Sequence, residues 1–132
     1  MKDETVAPSA PEGERRKAVL VVGAGDATGS AIARRFAREG YVACLARRRA
    51  DKLQTLVEQI RAEGGEAEGF ATDARKEDEV AKLVETIEAQ IGAIEVFVFN
   101  IGANVPCGIL DETARKFFKI WEMACFSGFL TG

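Results

Sequence analysis

Glycines at three positions follow an apolar run near the beginning of the chain and are suited to binding phosphate. They are Gly23, Gly25 and Gly29, and the run before them is 18–22. Gly23 lets the chain turn sharply as it leaves a strand, Gly25 lets the backbone approach a pyrophosphate, and Gly29 lets a helix pack closely on a sheet. The N–H groups at the start of that helix then face the anion. The spacing of these glycines is one residue longer than in the common dinucleotide fingerprint. The interpretation therefore depends also on the residues that follow the other predicted strands.

Basic residues follow the second apolar run, at the place where the adenosine ribose of a dinucleotide is recognised. They are Arg47, Arg48 and Arg49. An acid at this place hydrogen-bonds a free 2′-hydroxyl, whereas arginine accommodates a 2′-phosphate, so Arg47 and Arg48 favour NADP(H) over NAD(H). They also count against adenosylmethionine and flavin, whose sites normally use an acid here. Asp51 lies past the strand end, where we expect a helix N-cap. A solvated approach to the next helix remains the alternative for the arginines.

Polar side chains also follow the third and fourth apolar runs. Asp73 is placed to accept a hydrogen bond from an adenine amino group, or else serves as a turn residue before the next helix. Asn100 ends an apolar strand, where an amide needs hydrogen-bond partners. It either binds a cofactor or ties two strands together. The sequence leaves both pairs of alternatives open.

Cysteines are few and widely spaced, and histidine is absent, which argues against metal sites and disulfide frameworks. Cys44 lies in a predicted strand and Cys125 in an apolar helical pattern, so both are expected to be small buried side chains. Cys107 lies in a predicted loop without a basic neighbour and is not expected to be reactive.

The composition is that of a soluble globular domain and excludes several classes of function. The chain has 132 residues and a net charge of −3, which argues against binding nucleic acid through bulk electrostatics. No run reaches the roughly 18 apolar residues of a membrane span. Acidic residues near the N-terminus argue against secretory and transit peptides, so we expect a cytoplasmic protein. Residues 1–16 mix proline, glycine and charges without periodicity and are predicted to be a disordered leader.

Four apolar runs alternate with three amphipathic patterns after the leader. Strands are predicted near 17–22, 41–46, 67–71 and 94–99. A first helix is predicted at 28–38, and two others have the apolar stripes Leu53, Leu56, Val57 and Ile60, and Val80, Leu83, Val84 and Ile87. This alternation predicts crossover connections, and hence an α/β fold with a doubly wound parallel sheet of the Rossmann type. Ligands of such sheets bind at the carboxyl ends of the strands, which are the segments described above.

These features resemble the short-chain dehydrogenase/reductase family from Lys17 to the last residue. The family's turn is T-G-x-x-x-G-x-G, in which Val22 replaces the threonine and Ala27 the middle glycine. A basic residue after the second strand, an Asp-Ala pair and an Asn-x-Gly complete the match. The resemblance implies a Rossmann-type NAD(P)-binding domain over 17–132, the N-terminal part of a subunit. The residues it assigns to the cofactor are Gly23, Gly25, Ala27, Thr28, Gly29, Arg47, Arg48, Asp73, Ala74, Asn100 and Gly102.

The catalytic residues of that family have no counterpart in the sequence. The family uses a serine and a Tyr-x-x-x-Lys, in which the lysine lowers the pKa of the tyrosine for proton exchange with the substrate oxygen. The only tyrosine is Tyr41, with Leu45 four residues later, and the family's helical asparagine falls at Ala124. The chain therefore resembles the first of two mononucleotide-binding halves, with the second half incomplete. We predict that it contains no catalytic residue and transfers no hydride alone.

The resemblance implies an NADP(H)-dependent oxidoreductase for a small carbonyl or alcohol substrate, represented by its cofactor-binding half. Two alternatives stay open: a non-catalytic dinucleotide-binding or sensing module, and an interaction fragment that binds no cofactor. The segment 117–130 is apolar on nearly all sides, interrupted by Lys119, Glu122 and Ser127, and predicts a helix buried on several sides. In the family this helix contributes to the subunit interface, which implies a homo-oligomer.

Overall fold

Four parallel strands form the single sheet of the computed structural model, which describes residues 15–25 and 27–132. The leader predicted at 1–16 lies almost wholly outside these residues. Asp26, which follows Gly25 in the sequence, also lies outside them. The strands are β1 (Lys17–Val22), β2 (Val42–Arg47), β3 (Glu66–Ala71) and β4 (Ala93–Phe99). Their order in the sheet is β3-β2-β1-β4. The predicted α/β class with a parallel sheet is confirmed.

Helices connect the strands, cover both faces of the sheet and continue after the last strand. They are α1 (Thr28–Arg38), α2 (Asp51–Ala62), α3 (Glu77–Gln90), α4 (Ala114–Trp121) and α5 (Ser127–Thr131). A π-helical turn at Glu122–Phe126 joins α4 to α5. Residues 114–131 therefore form one helical stretch, which we call the C-terminal segment. Helices α1 and α2 pack on one face of the sheet, and α3 packs on the other.

The two central strands are apolar on both sides because helices cover both faces. In β1, Val19 and Val21 pack toward α1 and α2, while Leu20 and Val22 pack toward α3. These side chains are at most 2% exposed. A slip of one residue would exchange the two faces, so burial holds the strands in register. The carboxyl ends of β1 and β2 therefore stay side by side.

Contacts at the start of the outer strand β4 show which residues lie at the amino ends of the strands. Its register with β1 shifts near its start, where Glu95 is the extra residue. Glu95 accepts a hydrogen bond from the Tyr41 hydroxyl at 3.4 Å, and its carboxylate lies 3.3 Å from Lys17 Nζ. Tyr41, which precedes β2, thus lies at the amino ends of the strands.

Three expectations about individual residues are wrong. Asp51 is the first residue of α2 rather than its N-cap; the cap is Ala50, which makes no side-chain hydrogen bond. Val84 is 36% exposed, because the narrower stripe of Val80, Leu83 and Ile87 makes the contact with the sheet. Cys125 is exposed, because it lies in the π-helical turn away from the sheet.

The C-terminal segment confirms the helix predicted at 117–130 but buries little of it. Ser127 is fully buried, and Gly128 lies so close to Phe99 that an added Cβ would be 3.3 Å from the ring. Large side chains of the segment are exposed to solvent: Phe117, Phe118, Trp121 and Phe129. Its outer face is therefore uncovered within the described part of the chain. Among residues 15–25 and 27–132, no helix is long and apolar enough to cross a membrane.

Candidate functional site

A cleft of about 240 Å³ lies at the carboxyl ends of the strands. It is bounded by the turn after β1, the ends of β2 and β3, the residues after β4, and the C-terminal segment. The residues predicted from the sequence that line it are Gly23, Gly25, Arg47, Arg48, Asp73, Ala74, Asn100 and Gly102. Ala27, Thr28 and Gly29 are not among its lining residues and lie beside it, at the start of α1.

The glycine turn after β1 combines two crowded positions with an open one. Gly23 has a φ of +87°, and a Cβ on it would lie 2.4 Å from the Asn100 carbonyl oxygen. A Cβ on Gly29 would lie 2.6 Å from the Gly23 carbonyl oxygen. At Gly25 the nearest heavy atom would be 3.9 Å away. The fold therefore requires Gly23 and Gly29, whereas Gly25 leaves room for a ligand group against the backbone.

Helix α1 begins at this turn, and its N-cap residue provides no side-chain hydrogen bond. Ala27 occupies the N-cap position, and the first turn of the helix contains no acidic residue. The Ser30 N–H donates to the Gly25 carbonyl at 3.1 Å, which joins the turn to the helix. The positive end of the α1 dipole therefore lies beside the cleft, where it stabilises an anion.

Arginine side chains form a basic rim at the end of β2. Arg47 is the last residue of the strand, and its carbonyl accepts a hydrogen bond from the Thr72 N–H at 3.0 Å. Arg48 and Arg49 follow and are exposed. Arg49 Nε lies 3.7 Å from Asp51 Oδ1, so Asp51 faces an arginine of the rim and does not end the strand. All three arginines contribute to the lining of the cleft.

Asp73 is held in place by Arg75. Its carboxylate accepts hydrogen bonds from Arg75 Nη2 at 2.7 Å, Nε at 2.9 Å and the backbone N–H at 3.1 Å. The Asp73 N–H donates to Glu79 Oε2 at 2.7 Å. The hydrogen bonds from the Arg75 side chain are the main reason why the pKa of Asp73 is lowered to about 2. The turn role considered from the sequence is thus present, and the carboxylate also lines the cleft.

Asn100 ties the end of β4 to the end of β1. Its N–H donates to the Val22 carbonyl at 2.8 Å, and its side-chain Nδ2 donates to the Gly23 carbonyl at 3.1 Å. The strand-tying role considered from the sequence is therefore present. Asn100 also lines the cleft, so this contact supports the glycine turn from inside the site.

Sequence reasoning missed several side chains of the lining, among them Thr72, Arg75, Met123 and Ser127. Thr72 and Arg75 flank the predicted pair Asp73–Ala74, so their position at a strand end was the signal that could have identified them. Met123 and Ser127 come from the C-terminal segment, and no local pattern in the sequence places that segment against the cleft.

The other reactive side chains lie away from the cleft. Tyr41 is at the opposite end of the sheet, beside Glu95. Cys44 is buried in β2, and burial raises the pKa of its thiol to about 12. Cys107 is exposed, and its Sγ lies 3.3 Å from Glu112 Oε2. Within the described ranges, no group of three or more ligating side chains could hold a metal ion.

Comparison with known proteins gives consistent matches. The sequence model of a family described as short chain dehydrogenase matches residues 17–131. A short chain dehydrogenase of Pseudocercospora fijiensis is 39% identical over 120 residues, which are 89% of this chain and 38% of that protein. A crystal structure of a short-chain dehydrogenase from Rhodopseudomonas palustris has a TM-score of 0.80 at 44% identity, covering 89% of this chain and 55% of its own. An actinorhodin polyketide ketoreductase solved with NADPH has a TM-score of 0.81 at 27% identity, covering 87% of this chain and 44% of its own.

The extent of these matches agrees with the fold and with the position of the cleft. The family match includes all four strands and every residue that lines the cleft. The chain spans less than half the length of the curated relatives it matches, 38% in the example above. The chain belongs to the short-chain dehydrogenase family.

Proposed function

We propose that this chain is the dinucleotide-binding half of an NADP(H)-dependent oxidoreductase that acts on a small carbonyl or alcohol substrate. The observation that carries the proposal is the position of Arg47 and Arg48, which line the same cleft as Gly23 and Gly25. A phosphate monoester carries about 1.5 to 2 negative charges at neutral pH, and guanidinium groups bind it with charge-assisted hydrogen bonds. The similar ketoreductase solved with NADPH supports the same choice of cofactor.

Further features of the cleft support this proposal. The open position at Gly25 and the N-terminus of α1 suit a pyrophosphate. Beyond the arginine rim, Asp73 and Ala74 are proposed to contact the adenine ring. Asn100 and Gly102 line the part of the cleft that follows β4. When bound, the cofactor supplies or accepts the hydride, and the residues of this chain bind and orient it.

We assign no proton transfer to the described residues. Tyr41 lies at the amino ends of the strands, and Ala124 in the π-helical turn has no polar side chain. We therefore propose that these 132 residues alone transfer no hydride at a useful rate. Assays with NADPH and a panel of carbonyl substrates test this. Turnover that survives purification and follows the chain would contradict it.

Calorimetric titration with NADPH and with NADH tests the choice of cofactor. We expect NADPH to bind at least tenfold more tightly, because one charge-assisted contact contributes about 1.5–3 kcal/mol. Arg47→Glu and Arg48→Glu are each expected to reduce this preference, because a carboxylate would repel the 2′-phosphate. The affinity for NADH is expected to fall less than the affinity for NADPH.

Arg35→Glu is the matched control for the charge reversal. Arg35 is exposed on α1, pairs with Glu39, and is not a lining residue of the cleft. Equal affinities of the wild-type chain for both nucleotides, or an unchanged preference in both cleft variants, would contradict the arginine argument. Binding of neither nucleotide by the folded chain would favour an interaction fragment without a cofactor.

A further inference from the structure

Arg75 contacts two parts of the cleft that are far apart in the sequence. Its guanidinium donates two hydrogen bonds to the Asp73 carboxylate, at 2.7 and 2.9 Å. Its Nη1 lies 3.8 Å from Glu122 Oε2, in the π-helical turn of the C-terminal segment. Arg75 therefore lies between a carboxylate at the end of β3 and a carboxylate of the segment that brings Met123 and Ser127 to the cleft.

The contact with Arg75 matters because the C-terminal segment is sparsely attached at this point. Phe117, Phe118 and Trp121, on the turns before Glu122, are 40–63% exposed. The packed attachment comes later, where Ser127 is buried and Gly128 lies against Phe99. Within the described residues, the Arg75–Glu122 ion pair is thus a polar attachment for the middle of the segment.

Partial burial strengthens the attraction of Arg75 to Asp73 and Glu122 relative to that of an ordinary surface ion pair. The side chains of Asp73, Arg75 and Glu122 are 15, 26 and 31% exposed. Solvent and salt screen such groups less than fully exposed ones. The two parallel N–H···O bonds also set the plane of the guanidinium, which makes the position of Nη1 relative to Glu122 specific.

We infer that Arg75 is a positioning residue of the cleft, which orients the Asp73 carboxylate and, through Glu122, holds the wall formed by Met123 and Ser127. Nucleotide binding and docking of the C-terminal segment then favour each other, because both require the same arrangement of Arg75. The part of this inference that concerns the nucleotide rests on the proposed function. The part that concerns docking of the segment does not.

Amide hydrogen exchange of residues 119–131, with and without NADPH, tests the inference on Arg75→Gln and Glu122→Gln. Lys76→Gln is the matched control, because it removes the same charge one residue away, from an exposed side chain paired with Glu79. In the unliganded protein we expect exchange of this segment to rise roughly three- to tenfold in the first two variants and to stay at the wild-type rate in the control. The affinity for NADPH is expected to fall about five- to tenfold in Arg75→Gln and about two- to threefold in Glu122→Gln, which keeps the Asp73 pair.

A conservative variant separates positioning of the cleft from general stability of the fold. Arg75→Lys keeps a charge near Glu122 but loses the bidentate bonds, so it is expected to restore slow exchange more fully than nucleotide affinity. Unchanged exchange in folded Arg75→Gln and Glu122→Gln would overturn the anchoring of the segment. Faster exchange with an unchanged affinity for NADPH would overturn the positioning role. A wild-type chain that bound no nucleotide would overturn the proposed function, while the unliganded exchange rates would still decide the docking.

Discussion

Gly23 and Gly25 lie two residues apart in one turn but meet different surroundings. Gly23→Ala is expected to lower the free energy of unfolding by more than about 2 kcal/mol, because its Cβ would overlap the Asn100 carbonyl and its φ is +87°. Gly25→Ala is expected to lower it by less than about 1 kcal/mol while weakening nucleotide binding. Urea unfolding measures the first effect and calorimetric titration the second. Equal destabilisation by the two substitutions would contradict the assigned roles.

The Asp73–Arg75 pair makes stability depend on pH in the acid range. The pKa of Asp73 is about 2 in the folded protein, below its ordinary value of 3.8, so the unfolded chain takes up a proton more readily. The contribution of the pair is therefore complete above about pH 5 and is lost as the pH falls through the folded pKa. Asp73→Asn is expected to lower the stability by roughly 1–2 kcal/mol near neutral pH and by much less near pH 2. Urea midpoints over this range measure the difference, and a difference that did not shrink toward low pH would contradict the assignment.

Among the elements, the edge strand β4 supports the turn that follows β1. Asn100, directly after β4, provides the support with its hydrogen bonds to the Val22 and Gly23 carbonyls. The same residue approaches Gly23 closely enough to exclude a side chain there. The end of β4 therefore sets the shape of the glycine turn, although almost eighty residues separate the two.

Removing the Asn100 amide tests this support. Asn100→Ala is expected to lower the free energy of unfolding by about 1–2 kcal/mol, because the Gly23 carbonyl loses its side-chain donor. Asn100→Asp is expected to cost at least as much, because an ionised carboxylate only accepts hydrogen bonds and would face a carbonyl oxygen. Asn104→Ala, in the exposed stretch that follows, is the matched control. Urea unfolding compares them, and equal stabilities of Asn100→Ala and Asn104→Ala would rule out the proposed support.

At the scale of the whole molecule, the C-terminal segment carries a row of neighbouring aromatic rings. Ring centroids are 5.7 Å apart for Phe118–Trp121, 5.6 Å for Trp121–Phe126 and 6.3 Å for Phe126–Phe129. Apolar surface gathered in this way is typical of an interaction site. We propose that the chain forms a homo-oligomer through residues 117–130.

Sedimentation velocity tests this assembly. We expect the wild-type chain to self-associate, and Phe118→Glu combined with Phe129→Glu to shift it toward monomer, because burying two carboxylates in an apolar contact is costly. Ile109→Glu is the control, since Ile109 is 92% exposed outside the row of rings. A wild-type chain that sediments as a monomer over the accessible concentration range would contradict the proposal.

The sequence by itself determined the alternation of strands and helices and the residues that end each strand. Both follow from local patterns, because an apolar run bounded by glycine or charge specifies its element within a few residues. A parallel sheet then places all carboxyl ends at one edge. For this reason Gly23, Arg47, Asp73 and Asn100 could be assigned to one site before their contacts were known.

Only the tertiary structure decided which partners these residues have. Arg75 on Asp73, the Asn100 amide on Gly23, and Met123 and Ser127 at the cleft all depend on how segments far apart in the chain approach one another. The exposure of Cys125 depends in the same way on what covers the C-terminal segment. Apolar character shows that a surface favours burial, but the packing of distant elements decides whether that surface is buried.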